Sequence, residues 1–118
     1  MKTLESDLQK ACVYWFRVQY PNLAPLLFSV PNGGFRNKAT AIRMKAEGVV
    51  RGVSDLILFV PSHGYHALCI EMKTKIGKQS DYQKKWQEIV ENQGYRYIIC
   101  RSYEDFKTEI QKYVKSIK

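Results

Sequence analysis

Two short apolar runs, DLILFV at 55–60 and ALCIEMK at 67–73, stand on either side of a Pro61-Ser62-His63-Gly64 turn signal. Runs of this length bounded by turn residues read as buried strands, here a central strand and its returning partner. Both carry charge where a buried strand tolerates it least: Asp55 opens the first, and Glu71 and Lys73 lie within the second. Strand residues two apart share a face and sit about 7 Å apart along the chain. Leu68, Ile70 and Met72 therefore share one side, and Glu71 and Lys73 the other. A hairpin folded about His63 or Gly64 sets Asp55 opposite Glu71 or Lys73, on their face. A turn centred between those two residues reverses this, because a slip of one residue flips every side chain. A shared charged face thus requires an odd-length loop or a bulge.

The rest of the chain alternates around these strands. Leu4, Leu8, Ala11, Cys12, Trp15 and Phe16 recur at spacings of three and four, which predicts an opening helix capped by Thr3 and ended by Pro21. Leu26–Val30 reads as a strand running into a Pro31-Asn32-Gly33-Gly34 turn. Asn37 can cap a helix through about Glu47, carrying Ala39, Ala41, Ile42 and Ala46 and ended by Gly48. Ser80 and Gln83 form a capping-box pattern for a helix with Tyr82, Trp86, Ile89 and Val90, stopped by Gly94. Tyr95–Arg101 reads as a strand, and Ser102 opens a last helix with Phe106, Ile110, Tyr113, Val114 and Ile117 on one face. The order α-β-α-β-β-α-β-α, with no repeat and no long linker, predicts one domain over 1–118. Its class is α/β, a sandwich built on a mixed sheet.

Composition excludes several alternatives. The 118 residues can bury a core without staples, and four prolines and seven glycines leave no low-complexity tract. No apolar stretch approaches the ~18–20 residues that span a bilayer. Glu5, Asp7 and Arg17 interrupt residues 1–20, which therefore do not read as a signal peptide. Cys12, Cys69 and Cys100 lie far apart in apolar runs, the pattern of reduced core thiols in a cytoplasmic compartment. The formal net charge of +8 has two readings, a polyanionic partner or a basic surface kept for solubility.

Asp55, Glu71 and Lys73 likewise have two readings. They can form a salt bridge at a strand end. Alternatively, two carboxylates that repel one another hold a divalent cation, Mg²⁺ or Mn²⁺, with a backbone carbonyl as a further ligand. A lysine beside them can position or deprotonate the attacking water and offset charge on a pentavalent phosphate. Together these are the parts of phosphodiester hydrolysis. Acids embedded in apolar strands, where unpaired charge is expensive, favour the second reading.

The surrounding residues carry a resemblance. Asp55 followed by Glu71-Met72-Lys73 resembles the PD-(D/E)XK nuclease signature. PNGGFR at 31–36, KAEGVVRGVSDLIL at 45–58, EMK at 71–73 and SDYQKKW at 80–86 resemble, in that order and spacing, the VRR-NUC (virus-type replication-repair nuclease) family in its small standalone, phage-like form. The likeness spans about residues 1–101. Ser54 departs from it, standing where the family usually has proline; proline there supplies no ligand. The resemblance implies a three-layer α/β/α sandwich with a restriction-endonuclease-like core. It also implies Asp55, Glu71 and the Met72 carbonyl as metal ligands and Lys73 as the catalytic lysine. Glu5 matches an acid that the family places near the metal, although it could equally serve the helix N-terminus. Gln83 matches a family glutamine, and it is also the capping-box residue.

The implied function is metal-dependent endonuclease action on branched DNA, such as Holliday junctions, by an intracellular homodimer in a bacterial or phage-infected cell. No membrane and no small-molecule cofactor enter this reading, and the expected ends are 5′-phosphate and 3′-hydroxyl. Asn32, Gly33, Gly34, Arg36, Lys38, Arg43, Lys45 and Arg51 would approach the phosphates, as would Lys75 and Lys78, with Lys84 and Lys85 nearby. Each is also compatible with an ordinary turn or a solvated face. His63 and His66 read as turn residues, since no further zinc ligands are at hand. Tyr95, Tyr97 and Tyr103 suit packing more readily than base stacking. The competing functions are a non-catalytic nucleic-acid-binding module and a structural subunit of a larger replication or repair complex.

Overall fold

The computed structural model describes residues 4–31 and 37–115. Thr3, the Asn32-Gly33-Gly34 turn, Arg36 and Ile117 lie outside the described residues. Helix α1 (Leu4–Gln19) buries Cys12 and Phe16, with Leu8, Val13 and Trp15 packed beside them. Leu4 and Ala11 face solvent, which corrects the broader stripe expected from the sequence. The docked row is Leu8–Cys12–Phe16, a strict i, i+4, i+8 line that leaves Ala11 on its flank. A 3-10 turn at Ala24–Leu26, with proline at its start, takes up Leu26 and shortens the following strand β1 to Leu27–Ser29.

Helix α2 (Lys38–Ala46) starts where Asn37 accepts the Thr40 N–H at 2.7 Å. It ends where Val49 N–H reaches the Met44 carbonyl and Gly48 N–H reaches Lys45, at 3.0 and 3.1 Å. This reciprocal closure requires the left-handed φ of +107° that Gly48 adopts. None of α2 is buried, so Ile42 stays exposed rather than joining the core.

Strands β2 (Leu56–Leu58) and β3 (Leu68–Met72) form the expected hairpin, and helix α3 (Asp81–Asn92) leads to β4 (Arg96–Cys100) and helix α4 (Tyr103–Val114). The sheet order is β1-β2-β3-β4; the first two pairings are antiparallel and β3–β4 is parallel. A parallel neighbour needs a crossover, and α3 supplies it. Helices α1 and α4 cover one face, where Leu56, Leu58, Leu68, Ile70 and Met72 meet Phe16, Phe106 and Ile110. Helix α3 lies on the other face, with Trp86 edge-on to Tyr97 of β4. The result is the α/β class, a mixed sheet between helical layers.

The hairpin solves its register in an unexpected way. Leu56 pairs with Ile70, Ile57 with Cys69 and Leu58 with Leu68, a ladder centred on His63. The tip, however, pairs Ser62 with Tyr65 around His63 (φ +53°) and Gly64 (φ +82°), the two-residue turn that suits twisted strands. Continued inward, that tip would set the opposite parity. Residues 59–61 lie against only residues 66 and 67, and Val60 N–H folds back to the Leu58 carbonyl at 2.9 Å. This one-residue bulge, followed by Pro61 with no N–H to place, brings Asp55 opposite Glu71.

Candidate active site

Strand alternation sends Glu71 away from the α1–α4 core and toward α3, where it is only 1% exposed. Both of its oxygens are occupied. Tyr97 donates its hydroxyl to Oε1 at 3.2 Å, and Gln83 donates Nε2 to Oε2 at 2.8 Å. The Lys73 ammonium lies 3.8 Å from Oε2 on the same face. Asp55 accepts the Met72 N–H on Oδ2 at 2.7 Å, and its own carbonyl receives the Val30 N–H at 2.9 Å. Strands β1 and β3 thus grip Asp55 from either side.

The electrostatics of this group are those of a crowded negative site. Burial, then the Asp55 charge, pushes the Glu71 carboxyl up to about 8 from its ordinary 4.5, and a hydrogen bond shared with Asp55 adds to the rise. The Lys73 ammonium and the Tyr97 hydroxyl oppose it. The Tyr97 hydroxyl is itself held well above its usual range, by burial first and the Glu71 charge second. Two carboxyls on facing strand positions, with one ammonium beside Glu71, are an oxygen donor set of the kind that hard divalent cations take.

Gln83 fills both of the places that its sequence context suggests. Its Oε1 accepts the Ser80 N–H at 2.8 Å while Ser80 Oγ accepts the Gln83 N–H, a complete capping box. Its amide NH₂ is then left pointing at Glu71. Glu5 reaches from α1 into a cleft of about 630 Å³ whose wall also includes Asp55. Among the described residues no three His, Cys, Asp or Glu side chains converge as a metal-holding group, so Glu5 does not join Asp55 and Glu71 in one. Ser54 is fully buried, and its hydroxyl donates to the Leu56 carbonyl at 3.1 Å, anchoring the entry to β2.

The basic residues are placed unevenly. Lys38, Arg43 and Lys45 are exposed on α2, with Arg43 paired to Glu47 at 3.2 Å. Arg51 stacks over the Tyr82 ring at 4.0 Å. Beside it a Cβ on Gly52 would collide with the Tyr82 carbonyl, so the segment before β2 is pressed onto the start of α3. Lys75 and Lys78 are exposed just after β3, and Lys84 and Lys85 on α3. His66 packs edge-on to Tyr95, and His63 bonds Ser62 at the hairpin tip, consistent with their reading as turn residues. The three cysteines are buried and unpaired, with burial raising their thiols to about 12, 11 and 12.

Two residues at the site escaped the sequence reading. Tyr97 looks like core packing until the parallel register, which pairs it with Cys69, sets it on the Glu71 face. Arg101 donates Nη1 to the carbonyls of Thr74 and Gly77 at 2.8 and 2.6 Å, tying down the segment that follows Lys73. Nothing local in the sequence signals that contact, since its partners are backbone oxygens about two dozen residues upstream.

A mixed sheet carrying two facing acids and a lysine at the ends of its central strands, flanked by helices, is an arrangement of the nuclease type. The VRR-NUC domain model matches residues 3–104, and the chain belongs to that family. Among solved structures, one described as a "VRR_NUC domain protein" is similar over 98% of this chain and 92% of its own, with a TM-score of 0.83 at 26% identity. No curated protein is a significant sequence match.

Proposed function

We propose that the protein is a Mg²⁺- or Mn²⁺-dependent endodeoxyribonuclease that hydrolyses phosphodiester bonds, selectively in branched DNA such as four-way junctions. The observation that carries this reading is the β2–β3 register that sets Asp55 opposite Glu71, with the Lys73 ammonium 3.8 Å from Glu71. The donor chemistry fits the cation: only oxygens are offered, and the burial that chiefly lifts Glu71, with the Asp55 charge adding to it, disfavours a negative site that a divalent ion would neutralise. Asp55, Glu71 and the Met72 carbonyl would hold it, with Glu5 adding negative charge on the cleft it shares with Asp55. When bound, the ion would supply Lewis acidity toward the scissile phosphate.

The remaining chemistry falls to the chain. Tyr97 and Gln83 fix Glu71 in one orientation, and the Met72 N–H fixes Asp55, so neither carboxylate needs to reorganise during reaction. Lys73 Nζ is the ammonium paired with Glu71 among the described residues. It offsets charge on the phosphate and orients the attacking water. Water adds to phosphorus as the P–O3′ bond breaks, leaving a 5′-phosphate and a 3′-hydroxyl. Lys38, Arg43, Lys45, Arg51, Lys75 and Lys78 take phosphates of the duplex arms.

The test is a panel of labelled linear, nicked, flapped, forked and four-way DNAs incubated with Mg²⁺ or Mn²⁺. Wild type should cut the branched members preferentially. Asp55→Asn and Lys73→Ala should lower the rate by about 10²–10⁴-fold while duplex affinity persists. Unchanged cutting by either variant would reject the site assignment, and binding without any cutting by wild type would favour the non-catalytic module. We further propose a homodimer, since two symmetric sites suit incision of two strands. Light scattering should then return twice the 13.8 kDa chain mass, and a monomer under cutting conditions would refute it.

A further inference from the structure

The turn that follows Lys73 carries Ile76, at 89% the most exposed large apolar side chain among the described residues. It occupies a central position of the Thr74–Gly77 turn, where Gly, Asn, Asp or Ser are the usual choices. An isoleucine there gains no packing, and the local chemistry of the turn does not call for it. Places where a sequence breaks a local rule without a folding benefit are where function is to be sought.

The turn is also held rigidly. Gly77 N–H donates to the Thr74 carbonyl at 3.2 Å and to Thr74 Oγ1 at 3.1 Å. Arg101 adds its bonds to the carbonyls of Thr74 (2.8 Å) and Gly77 (2.6 Å), with Lys75 at 3.5 Å. A Cβ on Gly77 would lie 3.5 Å from the Lys73 Cδ, so the turn rests against the stem of that lysine. One arginine is thus spent inward, on backbone oxygens, to fix an apolar tip beside the candidate catalytic ammonium. Lys75 and Lys78 stand exposed on either side of that tip.

We propose that Ile76 is a wedge that enters the base stack of DNA bound at the Asp55–Glu71 site, with Lys75 and Lys78 on the flanking phosphates. This rests on the nuclease reading for the identity of the occupant. Apolar side chains inserted at a base step partly unstack it and kink the duplex, at a cost of about a few kcal/mol per step. The cost is least where stacking is already broken, as at a branch point, because flexible or interrupted steps open most easily. A rigid wedge beside Lys73 therefore selects the geometry of the DNA that reaches the acids. Charge complementarity favours nucleic acid over an apolar protein partner, for which flanking lysines would be a hindrance.

The experiment uses an Asp55→Asn background to keep bound DNA uncut, and a four-way junction with 2-aminopurine beside the branch point. Binding should raise the 2-aminopurine fluorescence as the step unstacks. Adding Ile76→Ser should abolish the rise and weaken junction binding by about tenfold, with linear-duplex affinity changed far less. Ile76→Leu should restore both. Equal fluorescence with and without Ile76 would overturn the wedge, as would an Ile76→Ser effect confined to the mass in solution, which would mark a protein contact instead. The readout needs no cleavage, so wild type that unstacks junctions yet never cuts would sink the nuclease reading and leave the wedge standing.

Discussion

At Glu71, protonation and folding are linked. In the unfolded chain its carboxyl releases its proton near 4.5, whereas in the folded site it does so only near 8. Between those values the folded state holds a proton that the unfolded state has lost, so stability falls as pH rises through that window and levels off above it. The metal-free protein should therefore show a melting temperature that declines from about pH 5 to pH 8, by an amount corresponding to a few kcal/mol. Glu71→Gln should flatten that decline and be the more stable protein at pH 8. Mn²⁺ should stabilise wild type at pH 8 with release of protons, and should do little for Glu71→Gln. A Glu71→Gln profile parallel to wild type would show that the buried charge lies elsewhere. The contrast between Gln83 and Tyr97 shows why single residues differ in legibility. Gln83 sits at a fixed offset from Ser80, so its cap was readable from spacing alone, and its bond to Glu71 follows from where the cap points. Tyr97 depends on a parallel register that no local pattern encodes.

Strands and helices follow their punctuation closely. Asn37, Ser80 and Ser102 all cap the helices they precede, and Gly48 and Gly94 both end theirs with left-handed φ. Less of the packing was legible. Helix α2 has a well-formed start and stop but buries none of its residues, because propensity and caps fix a helix without specifying a partner. The β2–β3 hairpin lies between these cases. Its need for an odd loop or a bulge could be argued beforehand, but the bulge at Phe59–Pro61 depends on competition between tip geometry and core alternation. Deleting Phe59 should let the tip register run into the strands. Either Asp55 then leaves the Glu71 face or the apolar residues of β2 leave the core. We expect a folded but less stable protein without a Mn²⁺-induced shift in melting temperature. A deletion variant that keeps the full metal response would mean that the acids meet by some other route.

The molecule as a whole joins a strongly basic exterior to a negative pocket. The exposed lysines and arginines lie on α2, on α3 and after β3; in the function proposed above they would attract phosphate, and a cation would offset the charge at Asp55 and Glu71. DNA affinity should thus fall steeply with salt. If the six proposed phosphate contacts engage, log affinity should change with log salt at a slope of about −5. A slope near zero would place the basic face outside the interface. The α/β class and the layering were readable because helices and strands alternate around two apolar runs. The side on which each helix lies was not, since it depends on crossovers. The hairpin also governs which descendants of this molecule remain functional. Surface loops ordinarily gain and lose residues one at a time with little harm. Here a single insertion or deletion between Leu58 and Leu68 should move Asp55 off the Glu71 face while leaving the chain able to fold, and a second one should restore it. Viable loop lengths should therefore differ by even numbers, and a library that randomises this loop should return active clones only at alternate lengths.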